Sequence, residues 1–370
     1  MKTNFKYISQ ALFLIALTIF SSCKKEDEGP SIDDNFLNYE IPEIPVTENY
    51  HVGAFYTYFT TFHANVKQIP VGGKYVMSAT TGIPLATATR QIDNAVKGGL
   101  DYFVFNMRSP NRDVNNQKID SIVVKSFLNA DTEGKLKFAI QFNWSGAYGL
   151  TTTAPLENDA TKLSQFYKDI ARFEYLFKNP NYMKVGGKAL FYILNAQNLF
   201  SNDNTVIYKE LRKRMSALGV ELYIVGQQER WSPPARYAHR FKGCVDAVYH
   251  SAMAPDYYDR LYLLPQFMDQ NWKYSKQWFA DNISVDYVPN IFPAYSWNIV
   301  NVNQTNPNVL RNDGGAMYKK LCNVAKGNAS SATRLILIDS FNDYQLDTQL
   351  EPTESYGDFY LDVTRQQFKK

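Results

Sequence analysis

The sequence is poor in the residues that carry most metal and thiol chemistry. It holds only 3 cysteines and 4 histidines in 370 residues. His51, His63, His239 and His250 are scattered, with no HExxH and no pair at ligand spacing, so no metal site is expected. There is no GxSxG elbow and no phosphate-cradling glycine loop, which weakens any serine-nucleophile or nucleotide reading. No glycine-rich turn follows the first apolar strand, which argues against a dinucleotide-binding open sheet, and no cofactor is expected. The formal net charge is +3, with no basic stripe, so nucleic acid is not an expected partner. No apolar run is long enough to span a bilayer. The longest, Ala11 to Phe20, is about half of the ~20 residues required.

That short run reads instead as the core of an export signal. Lys2 and Lys6 precede it, and Ser21-Ser22-Cys23 follows. Small residues before a cysteine resemble a bacterial lipobox, which implies a diacylglyceryl group on Cys23. Residues 1–22 are then the signal peptide. Residues 23–47 begin with charged KKEDEGPSIDDN and read as a flexible tether. Lys25-Glu26-Asp27-Glu28 resembles a surface-export signal. The expected location is the bacterial envelope, lipid-anchored at the outer membrane and facing outward. The membrane is one partner, through the lipid, and neighbouring glycan-uptake proteins are another. Cys244 and Cys322 are read as buried, unpaired thiols.

Residues 48–370 alternate short β-rich apolar runs with longer amphipathic ones. The expected strands are Val52–Tyr58, Tyr102–Asn106, Lys137–Asn143, Ala189–Leu194, Glu221–Val225, Ala247–His250, Val288–Phe292 and Leu335–Asp339. Helical segments are expected over 84–96, 116–130, 158–178, 205–218, 257–279, 310–325 and 355–368, while 227–240 has no clear pattern. Such alternation predicts an α/β fold, a single (β/α)8 TIM barrel.

In such a barrel the site is built at the C-terminal ends of the strands. Those ends carry Tyr56, Tyr58, Asn106, Arg108, Gln141, Asn143, Trp144, Gln227, Gln228, Tyr249, His250, Tyr295, Trp297 and Asn342. Amides bond neighbouring hydroxyls, and aromatic faces pack on the C–H faces of a sugar ring. The mixture suits an oligosaccharide or polysaccharide ligand, and peptides are bound by similar groups. Aromatic content is high, with 26 tyrosines.

The last segment, SFNDYQLDTQLEPTESYGDFYLDVTRQQF, resembles the C-terminal signature of the glycoside hydrolase family 71/99-like barrels. Val52-Gly53-Ala54-Phe55-Tyr56 resembles that family's first strand. Asn179-Pro180-Asn181-Tyr182 and Gly187-Lys188-Ala189-Leu190-Phe191-Tyr192 resemble its approach to the fourth. The resemblance implies endo-α-mannosidase-like glycoside hydrolysis with two carboxylates in the last motif. Here Asp343 stands at the first glutamate position, Leu346 at the second, and Asp347 where the family has glycine. Leucine has no proton to give, and general acid–base assistance is worth roughly 10²–10⁴-fold. The candidate catalytic carboxylates are therefore Asp343, with Asp347 or Glu229 in place of the missing acid. Glu351, at the family's Glu-Pro position, is read as a positioning carboxylate. Two functions stay open: a surface enzyme that hydrolyses a glycan, or an impaired barrel that only binds one.

Overall fold

Apolar residues on both faces of a strand call for cover on both faces, the condition inside an α/β barrel. In the β strand Tyr102–Arg108 nearly every residue is buried, and in Leu335–Ile338 all are. The computed structural model describes residues 37–254, 260–303 and 307–370. Cys23, the signal segment and the charged stretch after it lie outside the described residues, as do 257–259 at the start of one expected helix.

The first half of the barrel comprises β1 (His51–Tyr56), α1 (Leu85–Lys97), β2 (Tyr102–Arg108), α2 (Val114–Ala130), β3 (Lys137–Asn143), α3 (Ala160–Ala171), α4 (Glu174–Phe177), β4 (Lys184–Val185) and β5 (Lys188–Ile193). The second half comprises α5 (Asn204–Ala217), β6 (Leu222–Gln228), α6 (Ala238–Phe241), β7 (Ala247–His250), α7 (Leu264–Ile283), β8 (Asp286–Tyr287), β9 (Asn290–Ile291), α8 (Ala316–Asn328), β10 (Leu335–Ile338) and α9 (Phe359–Phe368). Strand neighbours follow the order β8-β7-β6-β5-β3-β2-β1-β10-β9, with β4 folded back against β5. All pairs on that path are parallel.

The two ends of this order are two halves of one strand position. The Val288 N–H donates to the Val248 carbonyl on β7 at 2.9 Å, while the Pro289 carbonyl accepts from Leu337 of β10 at 2.9 Å. Proline has no N–H, so the ladder changes partner where a donor is missing. That exchange closes the sheet into the expected (β/α)8 barrel. It also explains why the expected strand Val288–Phe292 shortens to β9, with β8 as a separate short piece just before it.

Other boundaries move for local reasons. The Asp113 carboxylate caps α2 by accepting from Asn115 and Asn116 N–H, so the helix begins before the expected Asn116. The expected helix 158–178 splits into α3 and α4. β6 runs three residues further than expected, which moves Gln227 and Gln228 from loop into strand. The unpatterned segment after it holds a short 3₁₀ turn, Pro234–Tyr237, and then α6. The compact unit begins at Ile41 rather than at residue 48. Ile44 N–H donates to Asn323 Oδ1 at 2.9 Å, and its carbonyl accepts from Lys326 Nζ at 2.6 Å. Cys244 and Cys322 are buried and free.

Aromatic side chains fill the barrel interior. The Tyr102 and Tyr192 hydroxyls meet at 2.9 Å. Above them Phe55, Tyr192 and Tyr249 pack with ring centroids 5.9–6.2 Å apart. Gly53 makes this possible, since a Cβ there would lie 2.2 Å from the Tyr102 ring.

Candidate functional site

Side chains along a strand alternate between inside and outside. The residues in phase with Tyr102 and further toward the C-terminal strand ends therefore reach the barrel mouth. Asn106 and Arg108 come from β2, Gln141 and Asn143 from β3, Gln227 from β6, and Asp339 from the end of β10. With Phe55, Thr57 and Tyr58 they line a cavity of about 360 Å³. Register places Asn106 opposite Gln141 and Arg108 opposite Asn143. The floor is Tyr249, whose hydroxyl is hydrogen-bonded by the side-chain amides of Gln141 and, at 3.0 Å, Gln227.

Asp339 is the carboxyl in this cavity without a cation beside it. Its backbone N–H donates to Ile291 at 2.8 Å, but its side chain has no hydrogen-bond partner among the described residues. Enclosure in the barrel mouth disfavours its charged form, and the nearby Asp343 adds repulsion. Together they push the Asp339 carboxyl up to about 7. The second carboxylate in the lining, Asp120, is held in a two-pronged pair by Arg108, with contacts of 2.6 and 2.9 Å.

Of the expected catalytic carboxylates, none lines this cavity. Asp343 Oδ1 accepts the backbone N–H groups of Gln345 and Leu346 at 3.0 and 3.2 Å, closing a tight turn just past β10. Burial raises its carboxyl above the ordinary value even so. Asp347 pairs with Arg311 at 3.0 Å and does not turn toward the barrel mouth. Its φ of +56° is left-handed, the conformation glycine adopts freely. Asp347 thus stands in the family's glycine place, without a register shift that would bring it inward. Glu229 is half exposed and bonds Ser232, Tyr237 and Arg236 at 3.1–3.6 Å.

The expected binding residues divide in the same way. Tyr56, Tyr58 and Asn143 line the cavity, and the Tyr58 hydroxyl is buried with no hydrogen-bond partner among the described residues. Tyr249 is beneath them. Gln228 and His250, one residue out of phase, point outward. Gln228 bonds the Ser232 carbonyl at 3.0 Å, and His250 Nδ1 meets the Tyr287 hydroxyl at 2.7 Å. Burial lowers His250 to about 4. Trp144 is buried, with its indole N–H unpartnered and outside the cavity lining. Tyr295 pairs through its backbone with Val309, and Trp297 is partly exposed on a short 3₁₀ turn. Asn342 bonds the Thr57 backbone. Glu351 is fully enclosed by Tyr75, Gln91 and Tyr344, at 2.7–3.0 Å. It braces β1 from behind, because Gln91 also accepts from the Tyr56 hydroxyl at 2.6 Å.

Asp339 is not among the carboxylates expected from the sequence. It is the last residue of the expected strand Leu335–Asp339, while the candidate acids lie in the motif that follows. The rule that barrel strand ends carry the site would have found it.

Comparison with known proteins agrees with this architecture. The family model described as glycosyltransferase WbsX matches residues 114–364. No curated protein matches the chain. A solved "glycoside hydrolase-like protein" is 28% identical, with a TM-score of 0.82 over 91% of this chain and 99% of that one. A GH99 endo-α-mannosidase from Bacteroides thetaiotaomicron is 17% identical, with a TM-score of 0.59 over 87% of this chain and 97% of that one. A second structure of the enzyme from the same organism is 16% identical, with a TM-score of 0.57. The resemblance to the family 99 barrels read from the last motif therefore holds at the level of the fold.

Proposed function

The chain belongs to the glycosyltransferase WbsX family, and we propose that it processes a glycan in the strand-end cavity, with Asp339 as the acid. The observation that carries this reading is the position of Asp339. It is an unpaired carboxyl at the C-terminal end of the last barrel strand, opening into a cavity lined by amides and aromatic rings. With its pKa near 7, a large fraction of Asp339 is protonated at neutral pH. A positioned acid of matched pKa can hand its proton to the glycosidic oxygen as the C–O bond breaks. The sugar's carbon then takes an oxygen nucleophile, and Asp339 is left as the carboxylate.

Water is the proposed nucleophile; as it adds to the anomeric carbon, the proton it releases returns to the Asp339 carboxylate, so the acid is restored and the reaction is hydrolysis. The hydrolase name of the 28% identical structure supports this choice. Asn106, Gln141, Asn143 and Gln227 would bond sugar hydroxyls, and Phe55 and Tyr58 would pack on ring faces. Asp343 acts on the reaction through Asp339, by raising its pKa, rather than by touching the sugar.

The same reading includes a location. A lipid on Cys23 would hold the barrel at the bacterial outer membrane, where a glycan-processing cavity meets external polymer beside uptake proteins. Loss of radiolabelled palmitate incorporation in Cys23→Ser tests that part. For the activity, purified protein is incubated with a panel of oligosaccharides and polysaccharides in H₂¹⁸O, and new reducing ends are read by mass spectrometry. Label at the new anomeric carbon, lost in Asp339→Asn, is the expected result. No new reducing ends from any glycan would overturn the reading.

A further inference from the structure

A second cleft, about 720 Å³, opens on the same face of the barrel. It is twice the volume of the cavity at Asp339, at about 360 Å³, and both lie in the ordinary ligand-pocket range of ~300–1,000 Å³. Three βα loops form it, those that follow β1, β9 and β10. These strands are neighbours, since β1 pairs with β10 and β10 with β9. The cleft is therefore a lateral extension of the barrel mouth.

Amide side chains stand among apolar ones in its walls. Asn65 and Gln68 face it from the first loop, Asn298, Asn308 and Asn312 from the loop after β9, and Tyr344 from the last. Asn65 Nδ2 donates to the Ile299 carbonyl at 3.3 Å, tying the two lips together. Asn298 Nδ2 meets Asn308 Oδ1 at 3.3 Å. Gln68 Oε1 is buried and has no hydrogen-bond partner among the described residues. An unpaired buried amide oxygen is unfavourable, and a ligand hydroxyl would satisfy it. The base is rigid, because Arg311, nearly fully buried, pairs with Asp347 at 3.0 Å.

The two pockets are also connected through the chain. Thr57 of the first cavity bonds the Asn342 side chain, and Tyr344, two residues on, lines the second.

We propose that this second cleft is a carbohydrate-binding site, which holds a distant part of the polymer whose other part lies at Asp339. The inference rests on the glycan reading of the first cavity and adds the substrate class: a polysaccharide many residues long, not a short oligosaccharide. Amides bond hydroxyls of a neutral chain without demanding charge, and the Arg311–Asp347 pair leaves the base neutral.

The test uses affinity electrophoresis of the intact protein in native gels containing α-mannan, arabinoxylan, galactomannan or xyloglucan, all neutral polymers. Asp339→Asn is the parent, so that no polymer is cut. Asn312→Trp, at an exposed position, fills the cleft without disturbing packing, and Gln68→Ala removes the unpaired oxygen. Retardation of the parent by at least one polymer, reduced fivefold or more in both cleft variants, is the expected result. Equal retardation of parent and cleft variants overturns the inference, and so does retardation by none of the four. Undiminished turnover in Asp339→Asn would overturn the catalytic reading alone, leaving the gel result to judge the cleft.

Discussion

Asn342 grips the backbone of Thr57 from both sides. Its Oδ1 accepts the Thr57 N–H at 2.7 Å, and its Nδ2 donates to the Thr57 carbonyl at 3.0 Å. The two residues are 285 apart in sequence. The side-chain amide continues the β10–β1 pairing one step beyond the last strand residues. It thereby fixes the loop that carries Thr57 and Tyr58 into the cavity wall.

Replacing Asn342 with alanine should therefore loosen the cavity and the fold together. Two partly buried backbone groups lose their partner, at a cost of about 0.5–1.5 kcal/mol. Chemical denaturation should show that loss, with KM for glycan raised more than kcat is lowered.

Asp339→Asn should lower turnover by roughly 10²–10⁴-fold, the range of a lost general acid. It should also stabilise the protein at alkaline pH. The folded-state pKa of Asp339, about 7, is above its unfolded value near 3.8. Its contribution is therefore fully present below the unfolded pKa and lost as pH rises through 7. The asparagine variant escapes that loss, so its melting temperature should exceed that of the wild type at pH 8 but not at pH 4.

Asp343→Asn removes the negative charge that helps to hold the Asp339 proton. The alkaline limb of the activity profile should move to lower pH, while activity at pH 5 is retained. A profile that stays in place would mean that Asp343 does not act through Asp339.

His250 should make the fold acid-sensitive. Burial lowers it from 6.5 to about 4. A depressed base contributes stability above its unfolded pKa and loses it as pH falls through the folded one, here between about 6.5 and 4. His250→Gln should flatten the decline in melting temperature across that window.

Asp347→Ala should destabilise without touching chemistry. It strips the charge partner from Arg311, only 3% exposed, and breaking such a buried pair costs about 3–5 kcal/mol. Turnover of a short oligosaccharide, which does not reach the second cleft, should be unchanged per folded molecule at low temperature. Glu229→Gln, at the surface, should change neither property.

The barrel was legible because each strand carries its own apolar run. Lys137–Asn143 and Ala247–His250 fall where the sequence places them. The closing strand was blurred because its hydrogen bonds go to two partners around Pro289, a property of the assembled sheet. The binding wall was half legible. Strand ends pick out Tyr56, Tyr58 and Asn143, but a phase error of one residue separates Gln227 from Gln228 and Tyr249 from His250. The catalytic reading followed the family motif to Asp343 and Asp347. A carboxylate that caps a turn and one that pairs with a distant arginine look like candidate acids until their partners are known. Asp339 is distinguished by the lack of such partners, which a sequence does not display.

The central claim is that Asp339 supplies the proton, and the pH dependence of kcat/KM on a cleaved glycan tests it most directly. Wild-type activity should fall above about pH 7, the value to which Asp339 is raised. In Asp339→Asn the residual activity should be low and should lack that limb. An Asp339→Asn profile with the wild-type limb intact would contradict the account.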